Sequence, residues 1–190
     1  MKHLPITPTP VDRLEHFSMK LGVNLQCKRD DLLPNAGGGN KARMLQYILA
    51  DVTKDNCDVL LTAGGPCSNF NRACALMCAK LGVTMHLVEY TDNLEDFDKS
   101  LNYKLCQLSG IKTTRCEKSC VQETIASVIN SYSSQRVRFV YGGGKSIEGF
   151  SAYYESVKEL YDDNIPIDCL FVACGTGTTL TGICAGMQKY

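Results

Sequence analysis

Short β-rich runs alternate with amphipathic helical stretches along most of this 190-residue chain. That alternation restricts the fold to a largely parallel sheet covered by helices. Strands are predicted at residues 25–28, 59–62, 85–88, 112–115, 137–140 and 169–173. Helices are predicted at 41–54, 69–81, about 94–108, 121–132 and about 147–161, with a last one starting near Thr178. In the first helix Met44, Leu45, Ile48 and Leu49 recur at helical spacing and form one apolar stripe. Gly82 and the pair Ser109-Gly110 mark helix ends. The fold class is therefore α/β, a three-layer αβα arrangement around a parallel sheet.

In such a sheet the loops that follow the strands gather along one edge, and ligands bind there. Three glycine-rich segments lie at predicted helix starts, two of them directly after strands. Gly37-Gly38-Gly39 runs into Asn40-Lys41, Gly64-Gly65-Pro66-Cys67 into Ser68-Asn69, and Gly175-Thr176-Gly177 into Thr178-Thr179. Their shared placement predicts one shared site.

Lys41 reads either as a solvated lysine or as a presented amine. A cation in the first turn faces the positive end of the helix dipole, so the neutral amine is favoured there. A neutral amine beside open backbone suits covalent chemistry with an aldehyde, pyridoxal phosphate above all. The segment Gly175–Thr179 combines glycines, hydroxyls and a helix N-terminus, the composition of an anion cradle; its ordinary reading is a tight turn capped by Thr178. Ser68 is either a helix cap or a hydroxyl donor to a substrate carboxylate. Asn69 offers an amide to an aromatic hydroxyl. Arg72 either fixes the turn or is an ordinary surface arginine. A weaker alternative is a nucleotide P-loop at Gly142-Gly143-Gly144-Lys145-Ser146, whose first motif glycine is displaced by Phe139.

Composition removes other classes. Lys plus Arg equals Asp plus Glu at 20 each, so no net field favours nucleic acid or an anionic membrane. No run approaches the ~18 apolar residues of a membrane span, and the first residues lack the apolar core of a signal peptide. The eleven cysteines are odd in number and contain no Cys-x-x-Cys. They read as buried or free thiols of a reducing, cytoplasmic compartment, with no metal site. The histidines His3, His16 and His86 show no ligand spacing.

With those residues in place, the chain resembles the pyridoxal-phosphate enzymes of fold type II, the tryptophan synthase β-subunit-like class. It is similar in particular to the group of 1-aminocyclopropane-1-carboxylate deaminase and D-cysteine desulfhydrase. Four segments carry this in order. They are Thr7-Pro8-Thr9-Pro10 with Lys28-Arg29-Asp30-Asp31-Leu32; Gly38-Gly39-Asn40-Lys41-Ala42-Arg43; Gly64 to Arg72; and Tyr141-Gly142-Gly143 through Gly149 and Tyr153, followed by Gly175 to Gly182. The resemblance implies that Lys41 holds the cofactor and acts as base at the α-carbon. It implies that Ser68 meets the substrate carboxylate near the reacting carbon. Asn69 would hydrogen-bond the cofactor's 3′-oxygen, and Gly175, Thr176, Gly177, Thr178 and Thr179 would hold its phosphate. D-cysteine would then yield pyruvate, ammonia and sulfide, and the cyclopropane substrate would yield 2-oxobutanoate and ammonia.

Two departures stand out: Met44 replaces a basic residue, and Cys67 replaces a glutamine. Family members are also considerably longer. The resemblance therefore implies a shortened form, weakly active or inactive alone, whose large domain is incomplete. Residues 44–144 are expected to form a small domain, with 1–43 and 145–190 part of the larger cofactor-binding one. The expected partners are a small amino acid and a second copy or a further C-terminal segment. A different class remains open, a module that binds cofactor or amino acid without turnover.

Overall fold

The computed structural model describes residues 7–54, 56–93 and 100–190. Four parallel strands form the central sheet: β3 (Val59–Gly64), β4 (Thr84–Tyr90), β5 (Lys112–Cys116) and β6 (Val137–Val140), in the order β5-β4-β3-β6. All six residues of β3 are buried, as a strand covered on both faces requires. Its alternation divides the core. Leu60 faces the layer built by α2 (Gly39–Lys54) and α3 (Asn69–Leu81), together with Met85 and Leu87 of β4. Leu61 and Ala63 face the opposite layer, where Ile125 and Val128 of α5 (Val121–Ser131) meet Val88. Helices lie on both faces, so the three-layer αβα expectation holds.

The predicted stripe of α2 is the centre of the larger core. Met44, Leu45, Ile48 and Leu49 are all buried, joined by Val52. Each such side chain stabilises the fold by about 1.5–3 kcal/mol relative to exposure. Two more helices follow: α6 (Ile147–Asp162) packs on α2, and α7 (Thr178–Lys189) packs on α6. Gly182 and Gly186 let α7 approach α6 closely: a Cβ would lie 2.5 Å from the Phe150 carbonyl at the first and 2.6 Å from Val157 at the second. A helix α4 (Leu101–Leu108) follows β4, capped by Ser100; of the predicted helix 94–108, residues 94–99 lie outside the described residues.

Ahead of the sheet, β1 (Val11–Arg13) pairs antiparallel with β2 (Gln26–Lys28), with α1 (Glu15–Leu21) between them. The sequence reading marked neither β1 nor α1. A 3₁₀ turn at Asp30–Leu32 leads towards α2. Here Arg43, fully buried, reaches Asp30 and Glu159 at 2.8 and 2.6 Å, and Thr9 and Tyr153 complete the shell around Asp30. The cluster ties the N-terminal segment, α2 and α6 together.

One predicted strand is absent. Residues 169–173 form no ladder. They keep the alternation of a strand, with Leu170 and Val172 against the core and Cys169, Phe171 and Ala173 exposed, but no described strand lies alongside. Period-two burial specifies which side chains turn inward; a strand also needs a backbone neighbour to bond with.

Candidate active site

The carboxyl ends of β3 and β6 open into two glycine loops, and the start of α2 and the start of α7 close around them. The result is a cleft of about 710 Å³. Lys41, Ser68, Asn69, Gly175, Thr176, Gly177 and Thr179, all expected at one site, line it together. Ligand clefts in parallel sheets lie at this edge because backbone donors and helix N-termini converge there.

Lys41 is the third residue of α2 and is half-buried. Its Nζ donates to the Gly143 carbonyl at 3.0 Å. Burial strips water from the ammonium and holds its pKa below the usual lysine value. Next to it, Asn40 Nδ2 donates to Thr179 Oγ1 at 3.1 Å, which joins the amine-bearing helix to the threonine loop. Gly143 completes the link. Its φ of +82° favours glycine, and a Cβ there would sit 2.6 Å from Thr176 Oγ1. The lysine amine therefore points inward, beside the threonine loop.

Gly177 takes a left-handed conformation and caps α7, so Thr178 is the first helical residue rather than the cap. Thr178 is buried beneath the loop, and its Oγ1 has no hydrogen-bond partner among the described residues. What Thr178 can offer an anion is its N–H, one of the first-turn donors that a helix leaves without an internal partner. Thr176 and Gly175 are exposed in the loop above it.

Ser68 caps α3: its Oγ accepts from the Asn71 N–H at 3.1 Å. Accepting that bond leaves the hydroxyl proton free to be donated, so capping and carboxylate binding are compatible. Asn69 is exposed, and its Oδ1 accepts from Asn102 Nδ2 at 3.0 Å. Arg72 is no loose surface residue. It donates to the Ala36 carbonyl at 2.8 Å and so fixes the chain entering the Gly37–Gly39 turn.

Sequence reasoning gave no site role to Tyr90, Tyr141 and Cys174, which also line the cleft. Two of them end a strand, Tyr90, or directly follow one, Tyr141; that position at the ligand edge was the available signal. Lys145 lines the cleft too, yet the N–H groups of Gly144 and Lys145 both donate to the Tyr141 carbonyl. The donors a P-loop would turn to phosphate are engaged within the turn, and the Ser146 hydroxyl accepts from the Gly149 N–H.

A half-buried amine of lowered pKa, facing a helix N-terminus dressed with hydroxyls, is a donor set that fits an aldehyde bearing a phosphate. The profile of the family described as pyridoxal-phosphate dependent enzyme matches residues 3–190. The chain belongs to that family. Among pyridoxal-phosphate dependent enzymes it is 31% identical over 193 residues to a D-cysteine desulfhydrase of Salmonella typhi, covering 95% of this chain and 58% of the relative. A D-cysteine desulfhydrase of Klebsiella pneumoniae matches at 31% over 96% of this chain and 58% of its own length. The crystal structure of an ACC deaminase homologue superposes with a TM-score of 0.82 at 30% identity, over 98% of this chain and 57% of the other. A pyridoxal 5′-phosphate-dependent aspartate racemase superposes at 0.73 with 19% identity, over 95% and 54% of the two chains, and shows the shared fold alone. The chain thus spans 58% of the length of these curated relatives.

Proposed function

We propose that this chain carries the cofactor-anchoring part of a pyridoxal-phosphate lyase or deaminase acting on a small amino acid, D-cysteine desulfhydrase-like in preference to 1-aminocyclopropane-1-carboxylate deaminase-like. The observation that carries the proposal is the Lys41 amine, half-buried and held at the Gly143 carbonyl, in one cleft with the threonine loop. The relatives' names support the substrate class. Bound pyridoxal phosphate supplies an electron sink that acidifies the α-proton of an attached amino acid.

The chain's own residues divide the remaining work. Lys41, with its lowered pKa, has a larger neutral fraction than an ordinary lysine; it would hold the cofactor and would take the α-proton on Nζ. Ser68 donates its hydroxyl proton to the substrate carboxylate. Asn69 donates from its amide to the cofactor's 3′-oxygen. Gly175, Thr176, Gly177 and Thr179 receive the phosphate, with Thr178 contributing its N–H. For D-cysteine plus one water, the products are pyruvate, ammonia and hydrogen sulfide.

The same proposal divides the chain into a small lobe, 44–144, which holds the whole parallel sheet, and a second lobe from 1–43 and 145–190. Free thiols at all eleven cysteines suit the cytoplasm. Among the described residues, no helix is long and apolar enough to cross a membrane. The exposed Phe17, Met19 and Leu21 of α1 support self-association, which sedimentation would read.

Borohydride reduction in the presence of pyridoxal phosphate is expected to leave a cofactor-sized mass increment on the peptide containing Lys41. Lys41→Ala should abolish it. An undiminished increment in that variant would overturn the lysine assignment. Pyruvate release from D-cysteine, set against 2-oxobutanoate release from the cyclopropane substrate, separates the two activities.

A further inference from the structure

Behind the loop Pro66–Asn69, outside the cleft, the start of α4 presents two side chains to it. Ser100, buried, donates from Oγ to the Pro66 carbonyl at 2.7 Å while accepting the capping bond from the Tyr103 N–H. Asn102 donates from Nδ2 to the Cys67 carbonyl at 2.8 Å and to Asn69 Oδ1 at 3.0 Å. The helix itself is fastened to the sheet. Cys106 is buried in the core beside α3, and the Arg115 guanidinium of β5 lies 5.2 Å from the Tyr103 ring centre and bonds its hydroxyl.

These bonds determine which way the Asn69 amide faces. A backbone carbonyl can only accept, so the group that Asn102 turns to Cys67 is its NH₂. The second hydrogen of that NH₂ points at Asn69 and requires an oxygen there. Asn69 Oδ1 is thereby engaged, and its own NH₂ is left as the donor. The two clamped carbonyls also orient their peptide planes: the N–H of Cys67 is opposed to the Pro66 carbonyl, away from α4.

We propose that Asn102, with Ser100, is a positioning residue for the active site. It fixes the serine-asparagine loop and sets the Asn69 amide so that a donor, not an acceptor, meets the cofactor's 3′-oxygen. The cofactor part of this statement rests on the functional reading given above. Asn102 touches neither cofactor nor substrate. It acts through Asn69.

Asn102→Asp tests this, because it preserves shape and replaces the donor with an acceptor. The carboxylate repels the Cys67 carbonyl and draws the Asn69 NH₂ towards itself, so an acceptor would face the 3′-oxygen. Pyridoxal phosphate affinity, followed by fluorescence titration, should fall about tenfold, the effect of one misplaced hydrogen bond, and the cofactor's absorbance maximum should move. In an Asn69→Ala background the same substitution should change affinity less than twofold, because the two residues act in series. Full additivity, or an unchanged affinity and spectrum in Asn102→Asp, would overturn the positioning role.

A second measurement is made without cofactor. Hydrogen exchange of the Cys67, Ser68 and Asn69 amides should accelerate in Asn102→Ala and in Ser100→Ala, while β3 amides keep their protection. Unchanged exchange in the loop overturns the clamp. If the parent protein takes up no pyridoxal phosphate, the functional reading above fails, and the exchange result still decides whether the clamp exists.

Discussion

Gly143 concentrates three demands on one residue. Its backbone is left-handed, its Cβ position is occupied by Thr176, and its carbonyl holds Lys41. Gly143→Ala should therefore do more than strain a turn. It should separate the two glycine loops and lower pyridoxal phosphate affinity at least tenfold, with a stability loss of about 1–3 kcal/mol by denaturant titration. Adding Thr176→Gly removes the collision and leaves the backbone strain, so recovery should be partial. Lys41 makes the complementary case. Its pKa is lowered in the folded chain, so the unfolded chain binds more protons in the window between the two values, and stability rises with pH there. The penalty is complete below the folded value. Lys41→Met should accordingly raise the melting temperature near pH 7 while abolishing cofactor attachment, and the gain should shrink as pH climbs towards ~10.4, the ordinary lysine value. An equal or lower melting temperature in that variant would show that Lys41 is not held at a cost to stability.

At the scale of elements, the sequence made legible whatever depends on local periodicity. Met44, Leu45, Ile48 and Leu49 are spaced for one helix face and are buried on it. The strands of the central sheet were placed correctly: β3, β4 and β6 carry apolar residues between turn signals, and β5 (Lys112–Cys116), which has no apolar run, follows the helix-ending Ser109-Gly110 in the βα alternation. Two kinds of feature escaped. Residues 169–173 read as a strand from their alternation, but a ladder depends on a neighbour that no local pattern encodes. The Arg43 cluster escaped because its members come from positions 9, 28, 30, 43, 153 and 159, and nothing in their spacing announces contact. That cluster carries a pH prediction. Burial alone would raise the Asp30 pKa, but the Arg43 guanidinium, with hydrogen bonds from Tyr153 and Thr9, brings it below the usual carboxylate value. As pH falls below ~3.9 the unfolded chain takes up a proton first, so the Asp30 contribution is present at neutral pH and is lost as pH drops through its folded value. The stability difference between the parent and Asp30→Asn should be largest near pH 6 and vanish in strong acid, as measured by denaturant titration at each pH. Removing the other partner should be worse. Arg43→Met leaves the largely buried Asp30 without its cation and Glu159 with Lys28 alone, and should cost about 3–5 kcal/mol.

Across the whole molecule, the site exists only because four distant stretches of chain meet. The glycine motifs disclosed each stretch separately, and the parallel sheet explains why they share an edge. The partners within the cleft, such as Lys41 with Gly143 and Asn40 with Thr179, became visible only in three dimensions. Two cysteines report on that assembly. Cys67 lies in the serine-asparagine loop and Cys174 at the head of the threonine loop; both are exposed and both line the cleft. Cys120, Cys169 and Cys184 are exposed elsewhere, while Cys74, Cys78 and Cys106 are buried. Alkylation with iodoacetamide, followed by peptide mass mapping, should label the five exposed thiols and spare the three buried ones. Pyridoxal phosphate should slow labelling of Cys67 and Cys174 together, and leave Cys120, Cys169 and Cys184 unchanged. Inorganic phosphate alone should protect Cys174 more than Cys67, because no side chain caps the helix N-terminus of the threonine loop, whereas Ser68 already caps that of α3. Protection spread evenly over all five thiols would mean general tightening of the chain, and protection at neither cleft cysteine would place the cofactor somewhere other than between the two loops.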